Sequence, residues 1–250
     1  MLSEENVLRD DLQVEMLQHA VEAWAVSHGV LMGTPDRKAF LPAPVSLLPV
    51  SVSKELWEPL RNISADFDSL YNKVARDHDF LIEHLSKTAQ ADAFSARLVQ
   101  ILQDQIKEGI RQEIMFQINR NDYMWHDPVS SFKQVEFNSI SAAFGYLSTK
   151  VAEMHSFMLE RFLGIKDVVQ VQQAHIGIAK GIHAAVEAFR RSEKVDGVLL
   201  MIVQPNERNS VDQRGIEYAL WTQFRIPVIR RSLLEISTQG SLNSEKHLVM

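Results

Sequence analysis

The strongest constraint on the fold is a continuous apolar run late in the sequence. Residues 198–203 read Val-Leu-Leu-Met-Ile-Val, and a second apolar run, 226–230, follows a helical pattern over 211–224. An uninterrupted apolar strand is typical of a sheet that is covered on both faces. Two such strands joined by a helix form a parallel βαβ unit. We therefore expect an α/β architecture here, and we place a domain boundary near residue 195.

The sequence before this unit predicts mostly helices. Four prolines predict an extended connector over 34–53, after a possible short strand over 30–32. Further helices are predicted from Ser53 to about Leu85, from the N-cap Asp92 to Gly109, over 139–162 and over 175–191. The first helix, which ends at Gly29, has a stripe of Leu8, Leu12, Met16, Ala20 and Trp24, which Leu17 and Val21 widen. The helix after Asp92 has Leu98, Ile101, Leu102 and Ile106, and the one over 139–162 has Leu147, Val151, Met154 and Met158.

A β-hairpin is predicted between these helices. Residues 132–138 alternate between polar and apolar, 113–118 read as the partner strand, and the turn contains Asp127-Pro128. Glu136 and Asn138 point the same way on such a strand, so a carboxylate and an amide oxygen converge. Hard oxygen ligands of this kind suit Mg²⁺. The alternative is the solvated face of an edge strand, and the alternation alone favours that alternative.

The turn after the first apolar strand of a βαβ unit is where open α/β sheets bind ligands. Glu207-Arg208-Asn209, followed by Gln213, occupies this position. The alternative is a solvated loop in which Asn209 caps the next helix and Asp212 complements its dipole. The residues alone do not decide between these interpretations.

Composition narrows the class of protein. Apolar residues make up 46% and charged residues 23%, as in soluble globular proteins. A net charge of −6 argues against a nucleic-acid-binding surface. There is no apolar run of membrane-spanning length and the N-terminus is acidic, so we expect no membrane association and a cytoplasmic location. Without cysteine, disulfides, thiol nucleophiles and thiolate metal sites are excluded.

Three blocks of sequence carry a family resemblance. They are RNDYM at 120–124, KQVEFNSISAAFG at 133–145 and PNERNSVDQR at 205–214. Together they resemble eukaryotic glutathione synthetases. The resemblance implies an α/β fold: residues 1–195 form a mostly helical, hairpin-containing part of an ATP-grasp ligase domain, and 196–250 begin a Rossmann-like substrate-binding domain.

The resemblance also implies roles for individual residues. Arg120 contacts the peptide substrate and its reacting carboxyl group, and without the family an ion pair with Asp122 would be the preferred interpretation of this arginine. Glu136 and Asn138 hold Mg²⁺, and Glu136 also lies near ATP. Ala143 stands where a second serine is frequent in the family, which removes one hydroxyl. The further substrate contacts are Ser141, Ala142, Ala143, Phe144, Glu207, Arg208, Asn209 and Gln213.

In the family, ATP phosphorylates the carboxylate of γ-glutamylcysteine, and the amine of glycine attacks the acyl phosphate to give glutathione. Mg²⁺ and cationic side chains neutralise the transferring phosphoryl group. The family's ATP-clamping lysines and glycine-rich loop have no counterpart in these 250 residues. We therefore expect a truncated glutathione synthetase, of a typically homodimeric family, that does not turn over alone. The alternatives are a non-catalytic glutathione-binding or dimer-partner chain, and an unrelated α/β nucleotide-binding protein that would use 204–213 without 120–144.

Overall fold

The computed structural model describes residues 11–110 and 113–250, so the predicted stripe residue Leu8 lies outside the described residues. The mixed, mostly helical α/β fold expected from the sequence is confirmed. The helices are α1 (Asp11–His28), α2 (Lys54–Arg76), α3 (His78–Ala91), α4 (Ala93–Glu108), α5 (Gly145–Leu163), α6 (Ala174–Glu193), α7 (Ser210–Phe224) and α8 (Leu233–Gln239). The strands are β1 (Leu31–Gly33), β2 (Phe40–Pro42), β3 (Arg120–His126), β4 (Ser131–Asn138), β5 (Leu199–Ile202), β6 (Val228–Arg231), β7 (Ser241–Leu242) and β8 (Leu248–Val249).

The chain divides into two compact units. The α/β unit comprises Met1–Ser51 and Ala143–Met250, and the helix–hairpin unit comprises Val52–Ala142. This division does not fall near residue 195, and the functional boundary there stays a prediction. No helix in the described ranges is both long enough and apolar enough to cross a membrane.

The α/β unit contains two apolar cores. In the first, Leu17 and Val21 of α1 pack with Met154, Met158 and Leu159 of α5, as the predicted α5 stripe requires. The second core joins α6 and α7 to Ile226, which precedes β6, through Ala179, Ala219 and Leu220, and Val228 of β6 packs against it.

Helix α1 is confirmed and ends at Gly29, which has the left-handed φ of 78°. Its predicted stripe is wrong at Leu12 and Met16, which are exposed, and correct at Leu17 and Val21, which are buried. The buried face is Leu17, Val21 and Ala25. Apolar residues lie on more than one side of this helix, so the four-residue spacing includes exposed positions as well as Ala20 and Trp24, which pack against the core.

The βαβ unit is confirmed. Strands β5 and β6 pair in parallel from Leu199↔Val228 to Ile202↔Arg231, and α7 is the crossover helix. The expected cover on both faces of β5 is wrong for the described residues, since Val198 and Ile202 are 58% and 54% exposed. Strand β8 pairs with β7 and does not extend this sheet.

The helix–hairpin unit has three helices where the sequence predicted two. The helix expected from Ser53 to Leu85 is divided at Asp77, whose side chain accepts a hydrogen bond from the Phe80 N–H at 3.1 Å. The predicted cap Asp92 is confirmed, with a 2.6 Å bond from the Ser95 N–H. The predicted α4 stripe is largely exposed, and Val99 is the buried residue of that helix.

The hairpin exists, but one predicted strand is wrong. Strand β4 pairs antiparallel with β3, and residues 113–118 form no strand. The turn at Asp127–Val129 lies where it was expected. The helix predicted from residue 139 begins only at Gly145. Positive φ angles at Ser141 and Phe144 keep the preceding residues out of the helix.

Candidate functional site

Four polar side chains meet on one face of the β-hairpin. The register places Arg120 opposite Asn138 and Asp122 opposite Glu136. We call Arg120, Asp122, Glu136 and Asn138 the hairpin cluster. The structure therefore brings the three hairpin residues proposed from the sequence together, and it also contains the ion pair between Arg120 and Asp122 that the sequence offered as the alternative.

The arginine and aspartate form a two-point ion pair. Arg120 Nε lies 3.0 Å from Asp122 Oδ1, and Arg120 Nη2 lies 3.0 Å from Oδ2. The hydrogen bond from Arg120 lowers the pKa of Asp122, and the same bond raises the pKa of Arg120. Both side chains are more than one-third exposed, so the pair fixes geometry more than it adds stability.

The asparagine amide is oriented by the two carboxylates. Asn138 Nδ2 donates to Asp122 Oδ2 at 2.9 Å and to Glu136 Oε1 at 3.0 Å. An amide oxygen in that position would face two negative charges, so the nitrogen must point there. The side chains of Glu136 and Asn138 therefore converge as predicted, but the Asn138 nitrogen, and not its oxygen, faces the Glu136 carboxylate.

The oxygens of the hairpin cluster nevertheless suit a hard cation. Carboxylate and amide oxygens are ordinary Mg²⁺ ligands, and the ion usually completes its shell with water and phosphate. Within the described residues, no three His, Cys, Asp or Glu side chains are grouped as a metal site. Mg²⁺ at this face would use Glu136 and Asn138, with the Asn138 amide turned so that Oδ1 faces the ion.

Helix α2 supports the hairpin from within the same unit. The Tyr71 ring stacks on Phe137, with centroids 3.8 Å apart and planes 3° from parallel. Asn119 Nδ2 donates to Asp68 Oδ1 at 2.9 Å. Because Phe137 alternates with Glu136 and Asn138, this packing leaves the hairpin cluster on the opposite face of β4.

The second set of proposed residues lies in the turn between β5 and α7 and at the start of α7. Glu207 accepts hydrogen bonds from the Asn209 N–H at 2.7 Å and from Gln213 Nε2 at 3.1 Å. Arg208 is held against β1, because its carbonyl accepts from the Gly33 N–H at 2.8 Å and its Nε donates to the Gly33 carbonyl at 3.1 Å. Each of the four proposed residues is thus held by at least one hydrogen bond.

A chain of buried polar contacts orients Gln213. Its Oε1 accepts from Arg230, which also donates to the buried carboxylate of Glu217. Glu217 accepts in addition from Arg214 Nη1 at 2.6 Å. With its oxygen committed to Arg230, Gln213 must turn its nitrogen to Glu207.

A cavity of about 640 Å³ opens beside this turn, at the carboxyl ends of β5 and β6. Of the residues proposed to bind the substrate, Glu207 lines this cavity. Its other charged or aromatic walls are Arg37, Phe40, Tyr146, Arg214, Tyr218, Arg230 and Glu235.

The segment Ser141–Phe144 spans the two units. Ser141 and Ala142 belong to the helix–hairpin unit, and Ala143 and Phe144 belong to the α/β unit. The Phe144 N–H donates to Asp212 Oδ2 at 2.7 Å. The sequence assigned Asp212 only to the dipole of its own helix, and the structure shows it bonded to a second helix.

Comparison with known proteins identifies the family. The model of the eukaryotic glutathione synthase ATP-binding domain matches residues 11–239. The chain belongs to the eukaryotic glutathione synthase family. Glutathione synthetase from Bos taurus is 34% identical over 98% of this chain and 53% of its own length. The chloroplastic enzyme from Arabidopsis thaliana is 29% identical over 96% of this chain and 46% of its own.

A solved structure supports the fold. A glutathione synthetase-like effector from Globodera pallida, in its apo form, matches with a TM-score of 0.84 and 20% identity, over 100% of this chain and 57% of its own. The chain spans about half the length of the curated glutathione synthetases it matches.

Proposed function

We propose that this chain carries the peptide-binding residues and the first Mg²⁺ ligands of a glutathione synthetase. The reaction is the ATP-dependent ligation of γ-glutamylcysteine and glycine through an acyl phosphate. The hairpin cluster is the observation that carries the proposal, since it joins an arginine to Glu136 and Asn138 on one face. Family membership supports the reaction type.

Arg120 is the proposed catalytic residue, and it binds the reacting carboxyl end of the peptide. The ion pair with Asp122 uses Nε and Nη2, and we assign Nη1 to the substrate carboxylate. A planar guanidinium suits this task, because it binds carboxylates through fixed donors. Its charge also offsets the negative charge that develops during phosphoryl transfer.

Glu136 and Asn138 are the proposed Mg²⁺ ligands, and Glu136 also lies beside ATP. The bound ion would neutralise phosphate charge. The proposed peptide contacts are Ser141, Ala142, Ala143 and Phe144 together with Glu207, Arg208, Asn209 and Gln213. The hydrogen bonds that hold Glu207, Arg208, Asn209 and Gln213 support this role, because a fixed polar surface binds a peptide with little loss of entropy.

Calorimetric titration with glutathione tests the peptide site. The wild-type chain is expected to bind, and Arg120→Ala is expected to lose most of the affinity. Arg61→Ala, which removes an exposed arginine of α2 in the same unit, is the matched control and should bind as the wild type does. Equal binding by Arg120→Ala and wild type would refute the role of Arg120.

Titration with Mn²⁺ as a spectroscopic substitute for Mg²⁺ tests the metal site. Glu136→Gln and Asn138→Ala are expected to weaken Mn²⁺ binding in the presence of ATP, whereas the exposed α3 variant Glu83→Gln is not. Unchanged Mn²⁺ binding in both hairpin variants would contradict the assignment.

The 250 residues contain no stretch that combines lysine with a glycine-rich loop, so we propose that this chain alone does not turn over. ADP release from the purified chain with ATP, γ-glutamylcysteine and glycine would contradict this. The second candidate function is therefore a non-catalytic glutathione-binding chain, for which binding without ADP release is the expected result.

We also propose that the chain forms a homodimer and is cytoplasmic. Exposed apolar side chains on the α/β unit support self-association, among them Phe40, Tyr218 and Leu234. Sedimentation analysis should give the mass of a dimer, and a monomer over the same concentration range would contradict it. The absence of cysteine supports a cytoplasmic location, which imaging of the tagged protein tests.

A further inference from the structure

The carboxylate of Asp212 lies in a buried position between two helices. The residue is 2% exposed and belongs to the first turn of α7. Its Oδ2 accepts from the Phe144 N–H at 2.7 Å. Its Oδ1 accepts from the N–H groups of Tyr146 and Leu147, both at 2.9 Å. A single side chain thus satisfies three backbone donors at the start of α5.

Helix α5 needs this external acceptor. Its N-cap residue is Phe144, whose side chain cannot accept a hydrogen bond, and its first turn contains no acidic residue. The first N–H groups of any helix lack partners within the helix. Because Asp212 also lies in the first turn of α7, its charge is close to two helix N-termini, and both favour a carboxylate.

Asp212 also holds the backbone of Phe144 in an unusual conformation. Phe144 has a φ of 72°, in the left-handed region that a residue with a side chain rarely adopts. Its N–H is the donor with the shortest distance to Asp212. The same Oδ2 accepts from Asn209 Nδ2 at 3.4 Å. One oxygen therefore connects the last residue of the Ser141–Phe144 segment to the turn between β5 and α7.

We infer that Asp212 is a positioning residue of the peptide site. It sets the Phe144 backbone relative to Asn209, so that both segments present a fixed surface to the γ-glutamyl peptide. The inference rests on the proposed function, which assigns both segments to that peptide. Asp212 does not itself touch the substrate in this account, since it is buried and bonded on both oxygens.

Asp212→Asn is the test, because it keeps the shape of the side chain and removes one acceptor. The amide nitrogen must then face a backbone N–H, so at least one of the three bonds is lost. Hydrogen exchange at Phe144, Tyr146 and Leu147 should become faster. Glutathione affinity, measured well below the melting temperature, should fall about tenfold, as expected when a buried bond to a charged group is lost.

Thr149→Val is the matched control on the same helix. Thr149 is 1% exposed, and its Oγ1 donates to the Gln172 carbonyl at 2.7 Å. The variant removes the hydrogen bonds of the Thr149 hydroxyl from α5 and keeps the three backbone N–H bonds to Asp212. We expect a lower melting temperature with unchanged glutathione affinity. If the folded Asp212→Asn protein binds as wild type does, or if Thr149→Val loses as much affinity, Asp212 has no positioning role.

Should Asp212→Asn fail to fold, wild-type hydrogen exchange supplies the test. Glutathione is expected to slow exchange at Phe144, Tyr146 and Leu147. If glutathione binds and leaves these three amides unchanged, the inference is overturned while the proposed function stands. If the wild type does not bind glutathione at all, the proposed function fails, and the inference fails with it.

Discussion

Gly215 lies inside α7 because Tyr146 occupies the space where a side chain would be. A Cβ at position 215 would lie 2.1 Å from Tyr146 Cγ and 2.3 Å from Cδ2. Since carbon atoms in contact are about 3.5 Å apart, the ring would have to move by about 1.4 Å. The Tyr146 N–H is bonded to Asp212 at 2.9 Å, which restrains that movement.

The expected effect of Gly215→Ala follows from two opposing terms. Alanine is more favourable than glycine in a helix by about 1 kcal/mol. Forcing a methyl group into filled space costs about 1–3 kcal/mol, and a steric overlap this large falls at the upper end of that range. We therefore expect the free energy of unfolding to fall by about 1–2 kcal/mol in net terms.

Urea denaturation of a double-mutant cycle measures this directly. In the Tyr146→Gly background the three Tyr146 side-chain atoms nearest to the added Cβ are absent, so Gly215→Ala should raise the free energy of unfolding by about 1 kcal/mol. The coupling between the two positions should be about 2–3 kcal/mol. Gly177→Ala on α6 is the control, because nothing lies within 4 Å of its added Cβ, and it should stabilise the wild type. If Gly215→Ala stabilises the wild type as Gly177→Ala does, the reasoning is refuted.

Two further predictions concern the α/β unit. The Ser232 N–H and hydroxyl lower the pKa of Glu235 below its ordinary value, so this capping contact stabilises the fold above pH 4.5 and is lost as the pH falls through the lowered pKa. Melting temperatures of wild type and Glu235→Gln should therefore converge in acid, and a constant difference below pH 4.5 would contradict this. Leu220→Ala empties a fully buried position and should cost about 2–5 kcal/mol in urea denaturation, whereas a loss below about 1 kcal/mol would show that Leu220 is not a core residue.

The βαβ unit could be predicted from the sequence because its signals agree. Two apolar runs flank a helical pattern, and the crossover rule leaves one arrangement for them. The cover of β5 could not be predicted, since a strand's composition shows only that it suits a buried position. Helices α1 and α4 show the same limit. Periodicity identifies apolar residues, and only the packing partners decide which side is buried.

The hairpin shows why functional strands are harder to recognise. Strand β4 was predicted because 132–138 alternate. Its partner β3 begins Arg120-Asn121-Asp122, and because asparagine and aspartate are depleted in strands, the sequence pattern favours 113–118 in its place. The residues that obscure the strand are members or neighbours of the hairpin cluster. The strand preference against asparagine and aspartate is overridden at the site where the proposed function requires polar groups.

Asp212 could not be placed by local reasoning at all. From the sequence, Asp212 is an acidic residue in the first turn of its own helix. This interpretation is correct, but it omits the hydrogen bonds that Asp212 accepts from α5. The bonds to α5 connect residues more than sixty positions apart in sequence. The one available signal was the absence of a capping side chain at Phe144, which becomes visible only once the true start of α5 is known.

A crystal structure of the chain with glutathione and Mg²⁺ tests the central claim most directly. The account predicts that a carboxylate of glutathione contacts Arg120, and that Mg²⁺ binds Glu136 with the Asn138 amide turned so that its oxygen faces the ion. If glutathione and the ion are absent from the hairpin cluster at saturating concentrations, with Asn138 still donating to Asp122 and Glu136, the claim is contradicted.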